Sequence, residues 1–308
     1  MSSTAAAFDR SKAAWEGKFR KWMGAASDTE KARREHAESM IRAAIQDSKA
    51  LQGRLVRVFT QGSYRNNTNI PQESDVDVSV CSSYTIDLSF PPGATKAGAG
   101  LSDATYDYTT FKNEVGAALV AKFGSSAVKR GNKAFDVSDT SYRVDADVVA
   151  AFDHRRYTSQ TEYIKPVGTC IRADDGHEII NWPEQHYLNG VSKNQTTGMR
   201  FKGVTRILKE LRFEMVDAGI AAARPLPSYL VECLVFNAPT SDFGHSFVYD
   251  DVREVIASVY NATKTDERCR EWGEVNELKY LFRPTQPWTR EQANAFLLAA
   301  WRHVGFKS

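Results

Sequence analysis

Aspartate is a poor strand former and costly to bury. This chain nevertheless alternates aspartate with apolar residues in two strand-like stretches, "ESDVDVSV" (73–80) and "SYRVDADVVAAF" (141–152). Side chains two residues apart on a strand share a face. Asp75 and Asp77 therefore point one way, and Val76, Val78 and Val80 point the other, into a core. Asp145 and Asp147 stand in the same relation to Val144, Ala146 and Val148. Such a pattern demands a sheet buried on one side and charge-compensated on the other. Adjacent carboxylates repel and desolvate each other, and a divalent cation with oxygen ligands such as Mg²⁺ removes that penalty. A sheet bringing both stretches together collects three or four carboxylates, enough for two metal ions acting on a phosphate. For either pair alone, a solvated face balanced by Arg and Lys is an equally good reading.

The preceding segment, "FTQGSYRNN", bears on that choice. Gly62 permits close backbone approach, and Ser63 adds a hydroxyl beside main-chain N–H groups. A phosphate cradle directly upstream of a metal-binding strand makes a coherent nucleotide site, although Gly-Ser by itself usually marks only a turn.

The rest of the chain places these motifs. Residues 27–45 read as a helix with a capping box, Ser27 with Glu30, and a stripe of Met40, Ile41, Ala44 and Ile45. Strands are expected at Leu55–Thr60, Asp75–Cys81 and Ser141–Phe152. A helix is expected over 105–123, with Tyr108, Phe111, Val115 and Leu119 on one side, and a hairpin over 169–180, turning at Asp175-Gly176. After Pro183 the pattern turns helical, around 199–216, 227–238, 249–262 and 288–304. The expected class is α+β, with a mixed-sheet catalytic lobe (1–180, including N-terminal helices) and a C-terminal helical lobe (181–308).

A Gly-Ser turn, then D-x-D about a dozen residues on, then a further strand aspartate resembles the polymerase-β-like nucleotidyltransferases. "QGSYRNNTNIPQESDVDVSV" and "DVVAAFD" resemble most the cyclic-oligonucleotide synthases among them. These are the bacterial CD-NTases, relatives of cyclic GMP-AMP synthase and oligoadenylate synthase. The resemblance implies a bilobal fold with the active site in a cleft, and Asp75, Asp77 and Asp147 as ligands of two Mg²⁺ ions, with Mn²⁺ as an alternative. Asp145 stays open as the third carboxylate, since it shares the face of Asp147. Gln61, Gly62 and Ser63 are expected at the nucleotide phosphates.

The helical half extends the match. Lys202, Arg206 and Lys209 recur at i, i+4 and i+7, a cationic row suited to a triphosphate, while Val204, Ile207, Leu208 and Leu211 form the buried stripe. A solvated basic face is the ordinary alternative. By resemblance Lys209 is the lysine on the triphosphate. Ser228, after Pro227, opens a helix whose hydroxyl and N–H groups reach phosphate, and Tyr229 stacks on a base. The implied reaction joins ATP and other NTPs, GTP among them, into a cyclic di- or trinucleotide with release of pyrophosphate. By the same resemblance the product acts on an effector in CBASS-type anti-phage defence. A template-independent RNA-tailing enzyme, or transfer to a protein or small molecule, is the alternative; a scaffold with a dead site is disfavoured by three intact aspartates.

Composition narrows the partners. A formal charge of +2 over 308 residues gives no broad nucleic-acid surface, so no DNA or RNA activator is expected. No Cys/His cluster matches the zinc insertion of the animal DNA sensor, and Cys81, Cys170, Cys233 and Cys269 form no C-x-x-C pair. No apolar run reaches the length of a membrane span, and the start of the sequence is charged before a signal could form. A reduced, cytoplasmic protein is expected. His154, His186 and His245 are read as structural, and Trp22, Trp272, Trp288 and Trp301 as packing residues.

Overall fold

A computed structural model describes residues 3–25, 27–73, 75–140 and 144–307. Residues 141–143, where the sequence reading begins its third strand, lie outside the described residues. The chain divides into two units: Ala26–Asn66 with Glu73–Glu184, and Met1–Ala25 with Asn67–Gln72 and Gln185–Ser308.

Helix α1 (Ser3–Trp22) belongs to the second, helical unit, whereas the sequence division placed it with the catalytic half. The reason is packing. Phe19 is fully buried in the helical core, with Trp15, Trp22 and Met23 packed beside it. Amphipathicity shows that such a helix needs a partner but not which one.

The α/β unit begins with α2 (Asp28–Asp47), capped by the expected Ser27–Glu30 box. Then follow β1 (Val56–Thr60), the short α3 (Gly62–Asn66), β2 (Val76–Ser89) and α4 (Tyr108–Phe123). The remaining strands are β3 (Val128–Arg130), β4 (Phe135–Asp139), β5 (Val144–Arg156), β6 (Gly168–Arg172) and β7 (Glu178–Asn181). The sheet runs β1-β2-β5-β4-β3, with β6 on β5 and β7 on β6. Among the described residues only β2 and β5 pair in parallel, so the sheet is mixed. One face carries Val76, Val78, Val80, Ala146 and Val148, covered by Ile41 and Ala44 of α2 and by Phe111, Val115 and Leu119 of α4.

The outer edge of β1 is closed by side chains. Glu38 of α2 accepts a hydrogen bond from the Thr60 N–H (3.1 Å), and Arg42 donates to the Val58 carbonyl (2.6 Å). These backbone groups point away from β2 and would otherwise be left unpaired.

After α5 (Pro183–Thr196), whose first two residues still belong to the α/β unit, the helical unit continues with α6 (Phe201–Asp217), α7 (Ser228–Phe236), α8 (Val248–Ala262), α9 (Asp266–Cys269) and α10 (Arg290–Val304). Val204, Ile207, Leu208 and Leu211 of α6 are buried, as the stripe predicts, among Leu230, Leu234, Val255, Phe296 and Leu297. Gly203 admits the end of α1, because a Cβ there would lie 2.6 Å from the Met23 side chain. The four cysteines are free thiols, all buried. No helix among the described residues is long and apolar enough to cross a membrane.

Candidate functional site

The parallel register sets Asp77 of β2 opposite Asp147 of β5. The antiparallel register on the other side of β5 sets Asp147 opposite Asp136 of β4. Three carboxylates thus stand in one row across three strands, on the face away from the valine core. Asp145 lies two residues before Asp147 on the same face, opposite Ser138. Asp75 lies two residues before Asp77, just ahead of β2. The register therefore pairs Asp77 with Asp147 and leaves Asp145 one step along the strand.

Electrostatics bear out the crowding. Burial, then the charges of Asp75, Asp136 and Asp145, push the Asp147 carboxyl above the usual range. Burial, Asp75 and Asp136 do the same to Asp145. An all-oxygen donor set in which Asp145 and Asp147 resist ionisation beside other carboxylates fits a divalent cation.

Asp136 is a residue that the sequence reading missed. Its strand is five residues long and follows the three-residue β3 and a short "GNKA" connection. The available signal was the alternation in "FDVSD", which repeats in miniature the pattern of β2 and β5.

The Gly-Ser turn is built onto this row. The Gln61 N–H donates to the Asp77 carbonyl (2.9 Å), tying the turn to the strand bearing the carboxylate. Gly62 has φ +66°, and a Cβ at that position would lie 2.0 Å from the Asp77 Oδ2. Only glycine fits both the backbone and the space. Ser63 follows in α3, which is held by the buried Tyr64 ring, by Arg34 donating to the Tyr64 carbonyl (3.2 Å) and by an Arg65–Glu184 ion pair.

In the helical unit, the cationic row of α6 faces inward. Lys202 is half-buried, with its ammonium 5.7 Å from the Tyr187 ring centroid, and burial lowers its pKa. Arg206 is 6% exposed and donates to the carbonyls of Met23 and Asn67. Lys209 is 2% exposed, its ammonium 3.7 Å from Glu232. Ser228 is half-buried at the first turn of α7. The Tyr229 hydroxyl donates to Glu274 (2.7 Å), and its ring lies near His186 and Trp288. Lys209, Ser228 and Tyr229 are thus grouped around α7, while Arg206 is engaged by main chain.

Glu232 anchors this group. It accepts from Thr68 (2.8 Å), lies 2.9 Å from His186 Nε2 and faces Lys209. Burial pushes its carboxyl up, but His186, Lys209 and Thr68 outweigh that and bring it down to about 2. A lowered folded-state pKa gives stability that is fully present above the ordinary value of 4.5 and lost as pH falls towards 2. Glu232→Gln should cost on the order of 3 kcal/mol near neutral pH. Thermal denaturation against pH should show the gap to wild type closing below pH 4.5; a constant gap would contradict the assignment.

The other two histidines with a structural reading are also paired, His154 with Asp87 (2.7 Å) and His245 with Asp251 (2.9 Å). Near the former, ligand atoms of Asp87, Cys170 and Glu178 lie within 4.8 Å of one another. Arg172 already bridges that group, at 2.9 Å from Asp87 and 3.4 Å from Glu178, so its charge is met without an ion.

Residues 188–305 match the family described as the cGAS/DncV-like nucleotidyltransferase C-terminal helical domain. The cyclic dipyrimidine nucleotide synthase CdnE of Legionella pneumophila is 45% identical over 94% of this chain and 98% of its own length. The structure of the Elizabethkingia meningoseptica CdnE cyclic dinucleotide synthase with GTP and Apcpp superposes with a TM-score of 0.78 at 33% identity, covering 94% of this chain and 99% of that one. That of the Rhodothermus marinus CdnE c-UMP-AMP synthase with Apcpp and Upnpp gives a TM-score of 0.81 at 29% identity, covering 95% and 97%.

Proposed function

The chain belongs to the CD-NTase family of cyclic-nucleotide synthases, and we propose that it condenses two pyrimidine nucleoside triphosphates into a cyclic dinucleotide, releasing pyrophosphate at each step. The observation that carries the reading is the carboxylate row Asp77–Asp147–Asp136 beside a glycine that nothing larger can replace. The choice of base follows the 45% identity to the Legionella dipyrimidine synthase, against 33% to the Elizabethkingia enzyme solved with GTP and Apcpp. Membership implies use of a divalent metal, and Asp75, Asp77 and Asp147 are the residues that would hold it.

Bound there, the metal supplies positive charge to the phosphates at the reacting centre. The remaining work falls to the chain. Gln61, Gly62 and Ser63 offer main-chain N–H groups and a hydroxyl to the phosphates. Lys209 and Ser228 hold the triphosphate, with Lys202 supplying further positive charge, and Tyr229 supports a base. Asp147, set opposite Asp77 by the parallel register, takes the proton of the attacking ribose hydroxyl. The hydroxyl oxygen bonds to the α-phosphorus of the second nucleotide as the bond to pyrophosphate breaks, and a second such transfer closes the ring. The product then serves as a messenger to an effector in anti-phage defence.

The test is incubation of purified protein with each labelled NTP and Mg²⁺, followed by phosphatase. A phosphatase-resistant dinucleotide from pyrimidine NTPs, absent with Asp75→Ala/Asp77→Ala protein, is the expected result. Products that form only on an added RNA or protein acceptor would show a tailing or modifying enzyme instead.

A further inference from the structure

The two motifs assigned to the chemistry flank six residues that belong to the other unit. The chain leaves the α/β unit after Asn66, runs through Asn67–Gln72 within the helical unit, and re-enters at Glu73, two residues before Asp75. Inside the helical unit this run is fixed at three points. The Arg206 guanidinium donates to the Asn67 carbonyl and, through Nε, to that of Met23 (3.1 Å). Thr68, fully buried, donates to Glu232 (2.8 Å). Gln72 donates to Glu210 (2.9 Å). Between these points Ile70 is 2% exposed, and Pro71 fixes its own φ. Asn67 enters the run with φ +56°, a conformation that a non-glycine residue keeps only when its surroundings hold it.

We propose that Asn67–Gln72 is a strap, held by Arg206, Glu232 and Glu210, that fixes the Gly62–Ser63 turn and the Asp75–Asp77 pair with respect to each other. Arg206 is then a positioning residue. The inference rests on the assignment of those two motifs to catalysis. An arginine that grips phosphate presents its planar fork to the ligand, whereas the fork of Arg206 is directed at two main-chain carbonyls. With its anchors in place, neither motif drifts independently of the other. Displacing reacting groups by about 1 Å costs as much as 10²-fold in rate.

The test compares Thr68→Val, Arg206→Lys and Arg206→Met in the full chain by steady-state kinetics and amide hydrogen exchange. Thr68→Val removes one anchor at constant shape. It should lower kcat by about tenfold with KM for NTP within about twofold, and speed exchange at residues 61–66 and 75–77. Arg206→Lys should not restore kcat, because an ammonium cannot span two carbonyls. A rise in KM at unchanged kcat, largely recovered in Arg206→Lys, would make Arg206 a triphosphate ligand and overturn the proposal. Wild-type kcat and exchange in Thr68→Val would overturn it too, even if Arg206→Met fails to fold. Asp77→Asn tests the underlying assignment separately: turnover retained there refutes the role of the motif, while hydrogen exchange still reports on the strap.

Discussion

Asp147→Asn is expected to cut product formation by at least about 10³-fold, the loss that follows from forfeiting some 4 kcal/mol of charge stabilisation. The same substitution should raise the melting temperature of the metal-free protein, by roughly 1–3 °C. Both effects have one origin. Asp147 stands between Asp77 and Asp136, and its carboxyl is pushed up by burial and by three neighbouring carboxylates. A raised carboxylate pKa means that ionisation opposes folding. Stability is highest below the ordinary value of 3.8 and declines as pH rises through the raised one. The gain from asparagine should therefore be visible at neutral pH and vanish below 3.8. Added Mg²⁺ should stabilise the wild type more than the variant and narrow the difference. Scanning calorimetry with and without chelator checks this, and an Asp147→Asn protein that melts lower at neutral pH would sink the account of Asp147 as a carboxylate crowded by its neighbours.

Gly62→Ala has the second largest expected effect. The added Cβ would fall 2.0 Å from the Asp77 Oδ2, so either the turn or the carboxylate must move. The backbone itself, at φ +66°, costs a non-glycine residue about 1–2 kcal/mol. Stability should fall by about that amount, with kcat down on the order of 10²-fold. Circular dichroism and thermal melting separate the two. Gly53 (φ +76°), with nothing within 4 Å of its Cβ position, is the control: alanine there should carry the backbone cost without the catalytic one.

Much of the α/β unit is legible in the sequence because its strands alternate cleanly. Asp75, Asp77 and Asp147 stand out because valine or alanine at every second position leaves their side chains a single face to occupy. Asp136 escapes because β4 offers too few residues to announce a period, and its role depends on a register that no local pattern encodes. Parallel pairing of β2 with β5 is likewise a long-range fact. In the helical unit, periodicity correctly places Lys202, Arg206 and Lys209 on one side of α6. It does not say what that side meets: Lys209 lies 3.7 Å from Glu232, and Arg206 donates to the carbonyl of Asn67. Membership of α1 in the helical unit is hidden for a similar reason, since Phe19 would be buried equally well by many partners.

The blocked margin of β1 also bears on how this protein can meet others. Recognition by lengthening a sheet requires a strand with vacant N–H and C=O groups on its outer side. Glu38 and Arg42 occupy those groups at Thr60 and Val58. A tail or second copy arriving there would have to displace a carboxylate and a guanidinium before gaining its first backbone bond. Along that margin, self-association into stacked sheets is discouraged even when the rest of the strand is apolar enough to invite it.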